Sequence, residues 1–315
     1  MKEHLSIPLL GASMGTILLF YKYVPIQYPL EIQKWQKKLC TDLGLTGRIL
    51  LAHEGINGTV GGSDDATQAY IKAMTEHPLF GGIDFKTAPG GSEAFPRMKI
   101  SVKNEIVHLG IDPAELTATQ GGEHLTPQQT HDLLSNPPEN LVVLDGRNNY
   151  EAAVGKFQNA ITPDIRYFRQ FPQYIDENVD QFKDKTVLMY CTGGIRCERA
   201  SAYLAQKGVA EKIYQVEGGI HRYIEQFPDG HFRGKNYVFD NRITVTVNSD
   251  ILSNCLNCPT PSAEYFNCLN ALCNKHFTSC PNCIEKFHKT CSQRCQELVA
   301  SAQTPQRTPF EKMTR

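Results

Sequence analysis

The sequence predicts an α/β protein in three parts, and three observations carry that prediction. The first hundred residues alternate apolar patterns in the order strand, helix, strand, strand, helix, strand. From Thr126 onward, short and continuously apolar strands alternate with helices, the pattern of a parallel sheet covered on both faces. Eight of the eleven cysteines fall between Cys255 and Cys295, in closely spaced pairs. The chain has 315 residues, 41% hydrophobic and 21% charged, with a net charge of −1. These ordinary globular values exclude wholesale disorder. They also exclude a global basic field, so a nucleic-acid partner would be held by local patches.

The elements follow in order. Ile7 to Phe20 carries no charge but is too short to span a membrane. Glu3 sits where a signal peptide would be basic, so residues 1–15 read as an N-terminal extension, with Met14 an alternative start. Thr16–Val24 is a β-rich run ended by Pro25. Leu30–Leu43 is helical: Ile32, Trp35, Leu39 and Leu43 share one face, Lys34, Lys37 and Lys38 face away, and Gly44 suits the C-cap. Gly47–His53 and Ile56–Gly61 are strands around a tight turn at Glu54 and Gly55. Ser63 caps a helix running to Glu76, with Asp64 and Asp65 in its first turn. Ile83–Thr87 and Met98–Lys103 are two further strands. The order is that of a ferredoxin-like (acylphosphatase-like) split βαβ with one extra strand, assigned to residues 16–110.

Gly121 and Gly122 mark a linker. Thr126 and Pro127 open a helix as N-cap and N1. Leu141–Leu144, Thr186–Tyr190 and Ile213–Val216 are buried strands ending at Asp145, Cys191 and Glu217, with helices at Cys197–Gln206 and Gly219–Phe227. Ligands of such sheets collect at the carboxyl ends of the strands. This parallel α/β domain spans residues 123–230. Tyr237–Val247 reads as strands with a turn at Asp240 and Asn241. A β-hairpin and cysteine-rich module occupies residues 231–298, and residues 299–315 read as a loose tail.

The segment Cys191-Thr192-Gly193-Gly194-Ile195-Arg196 is the most informative. A cysteine at a strand end, followed by a glycine-rich loop opening a helix, receives several backbone N–H dipoles. These favour the thiolate. Four residues separate Cys191 from Arg196, one fewer than in a phosphate-binding C-x5-R loop, so the ring suits a sulfur atom carried on the cysteine. Cys197 either resolves an oxidised state of Cys191 or fills the first helical turn, and Cys40 belongs to a core.

The tail pairs are Cys255 with Cys258, Cys268 with Cys273, Cys280 with Cys283 and Cys291 with Cys295. Four pairs make two tetrahedral sulfur sites, the ligand set of structural zinc, with His276 and His288 as substitutes for a thiolate. Sequential and cross-braced pairing both fit the spacing. Clustered pairs behind a cysteine-poor chain read as metal ligands in a reducing cytosol rather than as disulfides, and a cytoplasmic location follows. A segment this poor in large apolar side chains needs the metal to fold.

The loop CTGGIRCERAS, with LDGRNNYEAAVGKFQNAI before it and VEGGI after it, resembles the rhodanese domain. The resemblance implies a catalytic Cys191 and a supporting Asp145–Arg147 pair. Taken with LLFYKYV, AHEGINGTV, the stretch Phe95 to Lys99, and GKNYVFDNR, the whole chain resembles the rhodanese-domain tRNA uridine hydroxylases. That resemblance implies oxygen-dependent conversion of a tRNA wobble uridine to 5-hydroxyuridine, with O2 as co-substrate and tRNA as partner, and with no membrane and no DNA. The sequence holds no flavin or nicotinamide motif. The alternative is a sulfurtransferase passing persulfide sulfur from Cys191. Lys34, Lys37 and Lys38 are the expected RNA contacts.

Overall fold

The computed structural model describes residues 15–307. The expected extension before Gly15, the alternative start at Met14 and the tail beyond residue 307 lie outside them. The described chain divides between Val102 and Lys103, with Ala52–Glu54 counted in the second unit.

The first unit is β1 (Thr16–Tyr23), α1 (Pro29–Asp42), β2 (Thr46–Ala52), β3 (Gly55–Gly62), α2 (Asp64–Glu76), β4 (Lys86–Pro89) and β5 (Met98–Val102). Its sheet runs β4-β1-β3-β2-β5. β1 is antiparallel to β3 and β4, and β2 is parallel to β5. This is the ferredoxin-like arrangement with one strand added. The core is built from Leu18, Phe20, Ile49, Leu51, Ile56, Val60, Tyr70 and Met74. Ser63 caps α2 as expected, accepting from Ala66 N at 3.3 Å. Cys40 is fully buried in this core, and burial pushes its thiol up to about 12, so it is inert packing. β4 begins at Lys86 rather than Ile83. Gly81 and Gly82 turn the chain first, and Ile83 and Phe85 pack on the core from outside the strand.

The second unit continues with β6 (Glu123–Leu125), α3 (Pro127–Ser135), β7 (Leu141–Asp145), α4 (Asn149–Ala152), β8 (Gly155–Phe157), α5 (Phe171–Glu177), β9 (Thr186–Tyr190), α6 (Ile195–Lys207), β10 (Lys212–Val216) and α7 (Gly219–Gln226). β6-β10-β9-β7 form a parallel sheet. Thr126 closes a capping box with Gln129 at the start of α3. Two clusters cover the sheet. One gathers Phe168, Phe171, Ile175, Phe182, Val187 and Leu204; the other gathers Phe157, Leu188, Val216, Ile220 and Tyr223.

Residues 103–122 belong with this second unit. Leu109 and Leu116 are fully buried in the same cluster as Cys191. The expected linker glycines are also packed: Gly122 N donates to Ser201 Oγ at 2.9 Å, and a Cβ on Gly121 would meet Glu198 O at 2.8 Å.

The remainder is β11 (Phe232–Tyr237), β12 (Thr244–Thr246), β13 (Tyr265–Asn267), β14 (His276–Thr278), α8 (Pro281–Lys286) and α9 (Gln293–Ala300). β11 starts earlier than the expected Tyr237 because Phe232 to Gly234 pair with β8, burying Phe232 against Phe157. The stretch from residue 299, expected to be loose, is tied down as far as Arg307. α9 runs to Ala300, Ala271 N donates to Pro305 O at 3.0 Å, and Arg307 N donates to Leu269 O at 2.6 Å. Backbone pairing, invisible to apolar periodicity, holds it. No helix among the described residues is long and apolar enough to cross a membrane.

Candidate active site

Cys191 stands at the carboxyl end of β9, between the neighbouring strand ends. The strand is buried at every residue, which places the sulfur at the end of a rigid core element. Two turns then wrap it. Gly194 N donates to Cys191 Sγ at 3.1 Å, with Gly194 at φ +102, a conformation L side chains rarely adopt. Ile220 N and His221 N, opening α7, donate to the carbonyls of Cys191 and Thr192 at 2.9 and 3.0 Å. A Cβ on Gly219 would lie 2.4 Å from Cys191 O, so the VEGGI turn is the second wall of the loop.

The thiol is fully buried. Burial raises its pKa, but that effect is outweighed. A hydrogen bond from the Cys197 thiol, the charge of Arg196 and the N–H groups of Arg196 and Cys197 bring it down to about 5. Cys197, also fully buried, is pushed well up by burial and by facing Cys191. The two sulfurs are therefore pushed in opposite directions, Cys191 toward the anion and Cys197 toward the protonated thiol.

Arg196 does not point into solvent. Its two terminal nitrogens donate to Glu151 Oε1 and Oε2 at 2.6 and 2.8 Å, and Thr192 Oγ1 donates to Glu151 Oε2 at 3.4 Å. Glu151 is fully buried and also accepts from Asn148 N at 3.1 Å, closing the cap of α4. Glu151 was not singled out from sequence. Its signal is the Asn148-x-x-Glu151 spacing, a capping box whose acid is shared with the loop.

Asp145 and Arg147 sit beneath the loop without touching Cys191. Arg147 donates to Asp145 at 2.9 and 2.7 Å and to Gly155 O at 2.6 Å, and its guanidinium lies over the Tyr190 ring. Tyr190 OH donates to Asp145 Oδ2 at 2.8 Å. The pair thus ties β7, β8 and β9 together one residue below the thiolate. Lys34, Lys37 and Lys38 lie in the first unit, exposed on α1, and Lys38 is paired with Asp42 at 2.7 Å.

The eight tail cysteines form two interleaved sets. Cys255, Cys258, Cys280 and Cys283 make one; Cys268, Cys273, Cys291 and Cys295 make the other, each with its sulfurs within 4.8 Å of one another. The pairing is cross-braced. Sulfur separations of 3.7 Å (Cys258 to Cys280), 3.6 Å (Cys273 to Cys291) and 3.8 Å (Cys291 to Cys295) are far longer than a disulfide. They match the edge of about 3.8 Å expected of a tetrahedron with metal–sulfur bonds of about 2.3 Å. Asn257 N and Cys291 N donate to the Cys255 and Cys268 sulfurs at 3.5 and 3.4 Å, as outer-shell groups do around thiolates. The donors present fit a structural metal. His276 and His288 are in neither set. His276 instead stacks on Tyr265 at 4.2 Å and meets Tyr237 OH at 3.2 Å. Tyr265 OH donates to Tyr150 O at 2.6 Å, joining the module to the helix that carries Glu151.

Three family models match the chain: a UPF0176 acylphosphatase like domain at residues 15–106, a rhodanese-like domain at 126–226 and a rhodanase C-terminal domain at 233–296. Proteins named tRNA uridine(34) hydroxylase are similar along nearly their whole length. That of Corynebacterium diphtheriae is 40% identical over 307 residues, 92% of this chain and 98% of its own. That of Corynebacterium urealyticum is 41% identical over 286 residues, 88% of this chain and 96% of its own. That of an Arthrobacter species is 41% identical over 301 residues, 92% of this chain and all of its own.

Proposed function

The chain belongs to the tRNA uridine(34) hydroxylase family, and from that premise we propose that it converts the wobble uridine of tRNA to 5-hydroxyuridine with O2, using Cys191 as nucleophile. The observation that supports Cys191 as the nucleophile is its place at a strand end, where Gly194 N donates to its sulfur at 3.1 Å and its pKa is lowered to about 5. A thiolate is a soft nucleophile, and C6 of a uracil is a soft electrophile.

Cys191 Sγ bonds to C6 of the base, and the C5=C6 π pair moves onto C5 as an enolate. That electron-rich carbon is where oxygen enters. Loss of the C5 proton and expulsion of the thiolate restore the double bond, leaving Cys191 unchanged. One oxygen atom of O2 ends on C5. The other leaves as water, with two electrons and two protons from an external reductant. Arg196 and Cys197 keep the sulfur anionic between turnovers, and Glu151 keeps Arg196 in place. The base reaches the sulfur flipped out of its stack, as enzymes acting on a base require.

In this reading the two four-cysteine sets hold zinc, which supplies the fold of the module and takes no part in the reaction. The enzyme is an oxidoreductase working in the cytoplasm on tRNA. The test is nucleoside mass spectrometry on tRNA incubated with the protein under isotopically heavy O2. Heavy 5-hydroxyuridine from the wild type and none from Cys191→Ser is the expected result. A thiolated nucleoside instead, or sulfur passed from thiosulfate to an acceptor without hydroxylation, overturns it in favour of a sulfurtransferase. That outcome is chemically open because the same cradle also suits a persulfide.

A further inference from the structure

We propose that Arg166, Tyr167 and Arg169 form the surface that grips the single-stranded RNA next to the base delivered to Cys191. The proposal rests on the hydroxylase reading for the identity of the RNA.

The position of the loop comes from the sheet. Ile161 bridges Leu144 in parallel, and Asp145 N donates to Ile161 O at 2.9 Å. The chain after Ile161 therefore emerges at the carboxyl end of β7, the end at which β9 presents Cys191. Two buried side chains, Ile165 and Phe168, pin the segment into the same cluster as Cys191 and Cys197. Asn149, at the head of the helix that carries Glu151, holds it from the side. Its backbone N donates to Ile165 O at 2.8 Å and its Nδ2 to Asp164 Oδ1 at 2.7 Å. Gln170 Oε1 accepts from both Arg166 N and Tyr167 N, at 3.0 and 2.9 Å. The backbone is thus fixed before any ligand arrives, which lowers the ordering cost of binding.

The residues this rigid loop displays are exposed. Tyr167 is 50% exposed, a large ring flanked by two guanidinium groups. The Arg169 guanidinium lies 5.0 Å from the ring centroid and that of Arg166 lies 5.8 Å from it. Neither arginine has a carboxylate within ion-pair reach among the described residues. The one acid in the loop, Asp164, is taken by Asn149. Two uncompensated guanidinium forks around a stacking ring suit a strand of phosphates interleaved with bases. An acidic peptide would use the forks but not the ring. The lysines of α1 lack such a ring contact, and one of them is already paired with Asp42.

The test is binding of an unmodified tRNA transcript to the full-length protein, followed by anisotropy across a salt series. Arg166→Ala with Arg169→Ala should weaken binding about tenfold at ~0.15 M salt, and should lower the slope of log K against log salt by about 1.4, two single-strand phosphates at ~0.7 each. Tyr167→Ala should weaken binding about tenfold with the slope unchanged, because stacking releases no counterions, and Tyr167→Phe should bind like wild type. The alkylation rate of Cys191 should be the same in all the variants, since the altered side chains lie outside the core. Wild-type affinity and slope in the double arginine variant overturn the proposal. So does an unchanged tRNA affinity accompanied by lost binding of polyglutamate, which would assign the patch to an acidic protein. The two failures are separable. A wild type that binds tRNA through this loop yet makes no 5-hydroxyuridine sinks the hydroxylase reading alone. Intact binding in the variants, with hydroxylation still lost in Cys191→Ser, sinks only the surface.

Discussion

In the Cys191 loop one sulfur anion is held by N–H groups, a neighbouring thiol and a buried guanidinium, whereas in the module from residue 255 eight sulfurs converge in two sets of four. The loop is built by a scaffold that exists without it: four parallel strands, two apolar clusters and glycines that let backbone approach sulfur. The module has almost no scaffold of its own. Its two clusters consist of seven of the eight cysteines with Phe266, Phe277, Ile284 and Phe287. In one region structure creates the chemistry of the cysteine; in the other the chemistry of cysteine creates the structure. The contact from Tyr265 to Tyr150 lets the second region support the first.

Stripping the proposed metal is the largest way to break this contrast. Structural zinc sites of this class contribute on the order of 10 kcal/mol of folding free energy. A strong chelator, or Cys→Ser at Cys258 or Cys291, should melt the module while leaving the ferredoxin-like unit folded. Elemental analysis of protein purified without chelator should give about two zinc ions per chain by the four-ligand rule. Circular dichroism and hydrogen exchange that stay native after complete metal loss would show that the module folds on its own apolar contacts, and the contrast would collapse.

How far each region was legible in the sequence follows the same division. The cysteine pairs are local, so their spacing announces a metal module. Which pair joins which depends on how β13, β14, α8 and α9 fold back, and spacing leaves that open. The parallel sheet was legible because its strands are continuously apolar. The glycine loop was legible because residues 191–196 are consecutive. Glu151 was hidden because it lies 45 positions from Arg196 and looks like a surface helix residue until the fold buries it. The packing of residues 103–122 onto the second unit was hidden for a related reason. Leu109 and Leu116 are isolated apolar residues in a polar stretch, and only the tertiary core collects them. Arg166, Tyr167 and Arg169 gave no periodic signal at all, because their importance lies in what the buried Ile165 and Phe168 leave outside.

A smaller effect should come from Glu151→Ala. Removing one partner of a buried ion pair leaves the other charge uncompensated and typically costs about 3–5 kcal/mol. Denaturant unfolding of the second unit should show that loss. The metal content should stay at the wild-type value, because no cysteine is touched. A loss below about 1 kcal/mol would place the pair in the class of exposed bridges and remove Arg196 from the list of groups fixed by the fold.

The finest test of the contrast is at Cys197, a sulfur that is neither the proposed nucleophile nor a proposed ligand. Hydrogen bonding from its thiol is among the causes that lower the Cys191 pKa, and its own is pushed well up, which favours a protonated Cys197 beside an ionised Cys191. The reactive form of Cys191 is the anion. In the wild type the alkylation rate should therefore be flat at neutral pH and fall as pH drops through about 5. A hydrogen bond to a charged group contributes about 1.5–3 kcal/mol, which corresponds to roughly one to two pH units in the midpoint. Cys197→Ala removes the donor, so the midpoint should rise by that amount and the fall should begin nearer neutrality. Cys197→Ser keeps an O–H donor in the same place and should leave the midpoint near the wild-type value. With the tail cysteines held by the proposed metal and the Cys40 and Cys197 thiols kept protonated by raised pKa values, Cys191 is the thiolate the reagent reports. An unchanged midpoint in Cys197→Ala would mean that the backbone N–H groups and Arg196 hold the anion without help, and Cys197 would then be packing, like Cys40.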